Sequence, residues 1–116
     1  MEHKHLLINA TFRKTPFVST GFTAQWIREI VKKINMEILY APRAVRCDKI
    51  NNEGISAFCL ITTSHISLHS WEKTDPNLVQ LDIYSCKDFN LDVILQDLGD
   101  FQPIDLKYKF FDRSFL

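Results

Sequence analysis

The chain has 116 residues, 46% hydrophobic and 24% charged, the make-up of one ordinary folded domain with enough apolar side chains for a core. Fourteen Lys and Arg balance fourteen Asp and Glu; zero net charge gives no electrostatic case for a nucleic-acid or anionic-membrane partner and mildly favours self-association. Cys47, Cys59 and Cys86 are an odd number without C-x-x-C spacing, and no apolar run approaches a membrane span or the core of a signal peptide, so a cytoplasmic protein with free thiols is expected.

From His5 to Phe12, Leu6, Ile8, Ala10 and Phe12 alternate with His5, Leu7, Asn9 and Thr11, the period of a half-buried strand. A loop with Pro16 follows. Phe22, Trp26, Ile30 and Ile34 are then spaced by four, with Ile27 and Val31 beside them and Arg28, Glu29, Lys32 and Lys33 opposite. That spacing predicts an amphipathic helix capped by Thr20 or Thr23 and stopped at Asn35. Met36 to Cys47 reads as a strand interrupted at Pro42, and residues 48–54 carry turn chemistry in Asn51, Asn52 and Gly54. Ile55 to Ile61 is apolar enough for a central strand, and His65 to Trp71 is a fourth. After a loop with Pro76, Leu78 to Cys86 alternates as a fifth. Asp88 or Asn90 is placed to cap a second helix through Leu91, Ile94, Leu95 and Leu98, with Gly99 at its C′ position, and Ile104 to Phe110 is the last strand.

Strands and helices in this order do not alternate as in a doubly wound parallel sheet. They predict a single α+β domain, a mostly antiparallel sheet with two helices on one face. The other face then needs cover, and a second protomer is the expected source: a homodimer with facing sheets and active sites at or near the interface.

Chemistry concentrates between Thr62 and Trp71. His65 and His69 would share a metal on a helix, but on a strand four residues separate them by about 13 Å, so no metal site is expected. Ser64 and His69 have opposite parity on a strand, and no G-x-S-x-G elbow accompanies them, which argues against an ordinary hydrolase. A serine that acts on its own chain is the remaining reading.

Residues 64–71 (SHISLHSW) resemble the processing motif of the prokaryotic S-adenosylmethionine decarboxylase proenzymes, E-S-H-[IL]-[ST]-[IL]-H-T-W-P-E. The resemblance extends over most of the chain: His5-Leu6-Leu7 in the opening strand, Gly54-Ile55-Ser56 upstream of the serine, and Leu81 to Cys86 (LDIYSC), similar to the family's V-D-V-[FY]-T-C. It implies an α/β sandwich and a pyruvoyl-dependent carboxy-lyase that supplies an aminopropyl donor for polyamine synthesis. The chain would cut itself between Thr63 and Ser64 into residues 1–63 and 64–116. The cofactor would be a pyruvoyl group derived from Ser64, whose ketone captures the substrate amine and withdraws the electrons left by CO₂.

The same resemblance implies roles for the neighbours. Ser56 would steer the early ester step, His69 would move the α proton of residue 64, and Cys86 would return a proton to the substrate carbon; imidazole and thiol are suited to proton transfer near neutral pH. Substrate binding would fall to Ile50, Trp71 and Glu72. Several positions depart from the pattern. Thr63 replaces a glutamate, Ile50 stands where the family carries an aromatic that stacks on adenine, and Trp71-Glu72-Lys73 replaces W-P-E. Lys87 follows the cysteine in place of a glycine. The expected substrate is therefore S-adenosylmethionine, with arginine or ornithine as an alternative for a pocket without nucleoside contacts. A chain that never processes and serves as a regulatory paralogue is a further alternative.

Overall fold

A computed structural model describes residues 1–115. Eight elements follow in chain order: β1 (Lys4–Phe12), α1 (Thr20–Lys33), β2 (Ile38–Cys47), β3 (Gly54–Ile61), β4 (Ser64–Trp71), β5 (Asn77–Ser85), α2 (Leu91–Gly99) and β6 (Asp105–Asp112). The strands make one sheet in the order β2-β3-β4-β5-β1-β6, and every neighbouring pair is antiparallel. The expected α+β architecture holds, with strand ends displaced by one or two residues.

Period-two alternation sorts each strand into two faces. Leu6, Ile8, Ala10 and Phe12 of β1 bury together with Cys59 and Ile61 of β3, Ile66 and Leu68 of β4, and Val79, Leu81 and Ile83 of β5. Ile27, Ile30 and Val31 of α1 and Ile94 and Leu98 of α2 join the same core, so both helices cover one face. Each fully buried Leu, Ile or Phe there contributes on the order of 1.5–3 kcal/mol of transfer free energy.

The helix ends differ in detail from expectation. The cap of α1 is Ser19, one residue before Thr20: it has extended backbone and its side chain accepts from the Phe22 N–H. Thr23 instead lies inside the first turn, donating its hydroxyl to the Ser19 carbonyl at 2.8 Å. Asn35 does turn the chain, at φ 59°. Asn90 caps α2, but Gly99 is its last helical residue rather than its C′; Asp100 ends the helix in right-handed conformation and Gln102 makes the reversal at φ 57°. Gly54 has a steric reason: a Cβ there would lie 1.8 Å from the Ser70 carbonyl oxygen, so only glycine lets β3 approach β4 at that end.

The second sheet face carries no element among the described residues. It is polar across its centre and apolar towards one edge, where Leu39, Tyr40, Val45, Phe58 and Leu60 are all exposed. No described helix is long and apolar enough to cross a membrane.

Candidate active site

Strand register decides which chemical groups meet on the open face. One row across five strands reads Ser56, His69, Gln80, Asn9 and Lys107. In it the Ser56 hydroxyl and His69 Nδ1 are 2.9 Å apart. His69 borders two hollows. A cleft of about 670 Å³ lies in the middle of the face, with Asn9, Ser67, Asp82, Lys107 and Lys109 around it. A smaller one of about 240 Å³ lies towards Cys47, Asn52 and Trp71.

The residues expected to bind substrate gather at this same end. The Trp71 ring lies 5.9 Å from the His69 ring, centroid to centroid, and its Nε1 donates to Asn52 Oδ1 at 2.8 Å. Glu72 is mostly buried and its carboxylate pairs with the Arg46 guanidinium. Ile50 sits on the β2–β3 connection with its side chain 80% exposed.

Ser64 lies at the other end of β4. It opposes Ile61 on one side and Ser85 on the other, and five residues of strand, roughly 16 Å, separate it from His69. The preceding carbonyl, that of Thr63, accepts from the Cys86 N–H at 2.9 Å. Cys86 follows the last residue of β5 and is half-buried, as is Ser64. Thr63 Oγ1 and Ser85 Oγ both face Met36 Sδ, at 3.1 and 4.0 Å. The candidate residues thus form two groups on one chain: Thr63, Ser64 and Cys86 at one end of the sheet, Ser56, His69, Trp71 and Glu72 at the other.

Sequence reasoning missed a third group beside Ser64. His5 Nε2 and Asp82 Oδ1 are 2.6 Å apart, and His65 Nε2 lies 3.8 Å from the same oxygen. The Arg113 guanidinium is 3.4 Å from His5 Nδ1 on the other side of the ring. Tyr84, one row further, accepts or donates to His3 Nδ1 at 2.7 Å under the Arg113 guanidinium. The polar parity of Asp82 and Tyr84 on β5 was the available signal; their partners come from strands distant in sequence. No cluster of three or more metal-ligating side chains occurs among the described residues. Of the thiols, Cys59 is fully buried on the helix side and burial pushes its pKa up.

A six-stranded antiparallel sheet with two helices on one face is an α/β sandwich, with Ser56, His69 and the larger cleft on its uncovered side and Ser64 at one end of β4. The family model described as S-adenosylmethionine decarboxylase matches residues 4–114, and the chain belongs to that family. The crystal structure of the adenosylmethionine decarboxylase from Aquifex aeolicus VF5 has the same fold, with a TM-score of 0.77 over 99% of this chain and 92% of that chain, at 18% sequence identity. No curated protein sequence matches the chain.

Proposed function

We propose that this chain is a pyruvoyl-dependent decarboxylase of S-adenosylmethionine, matured by self-cleavage between Thr63 and Ser64 and active as a homodimer with its open sheet faces together. The observation that carries the reading is the separation of the two groups on β4. Residues that the family resemblance assigns to one reaction stand at opposite ends of a single sheet. A two-fold axis through the face would lay the Ser64 and Cys86 end of one protomer over the Ser56 and His69 end of its partner, and would cover the exposed Leu39, Tyr40, Val45, Phe58 and Leu60.

The residues present fit a pyruvoyl group at position 64. Ser64 supplies the hydroxyl, and the carbonyl it must attack is already hydrogen-bonded by the Cys86 N–H. A pyruvoyl group supplies an electron sink for decarboxylation of a substrate that carries an amine. The chain's own side chains do the rest. Ser56 orients the His69 ring through Nδ1, leaving Nε2 to take the α proton of residue 64 during maturation. Cys86, whose backbone N–H meets the Thr63 carbonyl, would hold a thiol proton for the substrate carbon in turnover. Trp71, its ring tilted by 33° against that of His69, is a flat apolar wall for the substrate.

One observation favours a second substrate class. The Glu72 carboxylate is taken up by Arg46 and Ile50 offers no aromatic surface, so neither is arranged to hold a nucleoside. Arginine or ornithine would need neither contact. Release of labelled CO₂ from carboxyl-labelled S-adenosylmethionine, arginine and ornithine decides between them: turnover of the first alone upholds the proposal, turnover of a basic amino acid alone replaces its substrate. A chain that stays intact but stimulates a processed relative would be a regulatory paralogue. Light scattering that finds only monomer would remove the shared site.

A further inference from the structure

Thr62 and Thr63 are the only residues between the paired ends of β3 and β4, Ile61 and Ser64. Two-residue hairpins normally use turns with positive φ at one or both central residues, because those turns match the twist of the strands. Both central residues here are β-branched, and neither takes positive φ. The next residue does: Ser64 has φ 151°, a region that side chains other than glycine rarely adopt. The turn's misfit has been moved onto the residue after the proposed cleavage point.

The surroundings keep it there. The Thr62 N–H donates to the Glu37 carbonyl at 2.9 Å, and the Thr63 carbonyl accepts from Cys86 N–H at 2.9 Å. Cys86 is itself anchored, its carbonyl accepting from the Glu2 N–H at 3.1 Å. The Thr63 hydroxyl is turned to Met36 Sδ. With the turn tied to the segment before β2 and to the end of β5, the Thr63–Ser64 peptide plane cannot rotate to relieve Ser64.

We infer that the Thr62-Thr63 turn is a built-in driver of maturation: clamped strain on Ser64 pushes the Thr63–Ser64 amide towards the ester. The inference rests on the self-cleavage reading above and adds the source of its driving force. In that step the Ser64 Oγ bonds to the Thr63 carbonyl carbon, the bond from that carbon to the Ser64 nitrogen breaks, and the hydroxyl proton ends on the freed amine. No other reactant is consumed. Once the nitrogen is free, φ of residue 64 is no longer held by the turn and the strain is gone. The Cys86 N–H, besides clamping the peptide, points at the oxygen that becomes negative as the hydroxyl adds.

The test uses a turn that fits. Thr62→Asn with Thr63→Gly installs the hairpin pair best suited to positive φ, so Ser64 can relax into an ordinary strand conformation. In a His69→Ala background, where elimination is blocked, amide and ester exchange, and neutral hydroxylamine followed by denaturing mass spectrometry reads the ester fraction. The expected result is an ester-to-amide ratio about tenfold to a hundredfold lower in the turn variant, with a melting temperature raised by a few degrees. An unchanged ratio overturns the inference, as does an unchanged melting temperature. If the His69→Ala chain with its native turn forms no ester, and the wild-type chain never cleaves, it is the self-cleavage reading that fails. The clamp is tested by cleavage of Cys86→Pro, which lacks the N–H, against Cys86→Ala, which keeps it. Proline should be slower by about 10²–10³. Should it not fold, a chain ligated at Cys59 with an ester in place of the Ser85–Cys86 amide removes the same hydrogen. Equal rates in that comparison overturn the role of the N–H.

Discussion

Ser56→Ala removes one hydroxyl, and its effects on stability and on chemistry should separate cleanly. The Ser56 Oγ to His69 Nδ1 distance is 2.9 Å on an exposed part of the sheet. Water can replace the hydroxyl there, so the net loss of stability should stay below about 1 kcal/mol. The chemical loss is larger. To take a proton through Nε2, the ring must keep its own proton on Nδ1, and the Ser56 oxygen is the acceptor that holds it so. General-base catalysis contributes on the order of 10²–10⁴ in rate; with the ring retained but its partner gone, elimination should slow by about tenfold to a hundredfold. The assay follows freshly purified precursor by denaturing mass spectrometry with and without neutral hydroxylamine, and melts the same preparation. The expected pattern is a nearly unchanged melting point, slow cleavage, and accumulation of intact chain that hydroxylamine cuts after Thr63. Wild-type cleavage with no ester build-up would refute the orienting role.

Cys86→Ala should leave the melting point within a few degrees, since the thiol is only half-buried, while turnover falls by about 10²–10⁴ and the pyruvoyl end is progressively consumed; full specific activity would remove the thiol from the mechanism. Mixing Ser64→Ala with His69→Ala chains during co-expression should restore cleavage of the His69→Ala chain, whose partner brings an intact His69, though neither variant cleaves alone; no restoration would place both groups of residues in one protomer. Iodoacetamide at mild pH should label Cys47 and Cys86 in the folded precursor and spare Cys59, whose burial both shields it and raises its pKa; labelling of Cys59 at the rate of the other two would contradict the packing of β3.

Local physics made much of the fold readable. Alternation in β1 and β5 and the four-residue spacing in α1 each follow from which side chains must leave water, and the paired Asn51 and Gly54 mark the turn into β3. Ser19 and the two threonines after it all offer a hydroxyl acceptor, and it is the extended backbone of Ser19 that makes it the cap. Gly99 stays helical because its residue type allows the left-handed region without requiring it. The site was readable as a set of residues but not as a geometry. The motif names Ser64 and His69 together, whereas the register puts them at opposite ends of β4. The bond from Cys86 N–H to the Thr63 carbonyl and the His5, Asp82 and His65 group depend on β4 and β1 flanking β5, which local patterns do not encode.

The most direct test is the mass of the purified chain under denaturing conditions. Self-cleavage predicts two species, residues 1–63 with a free carboxylate at Thr63 and residues 64–116 with a pyruvoyl group in place of an amino terminus, and a Ser64→Ala chain that stays whole. A wild-type chain that remains intact after prolonged incubation, with Ser64 an ordinary serine, would contradict it.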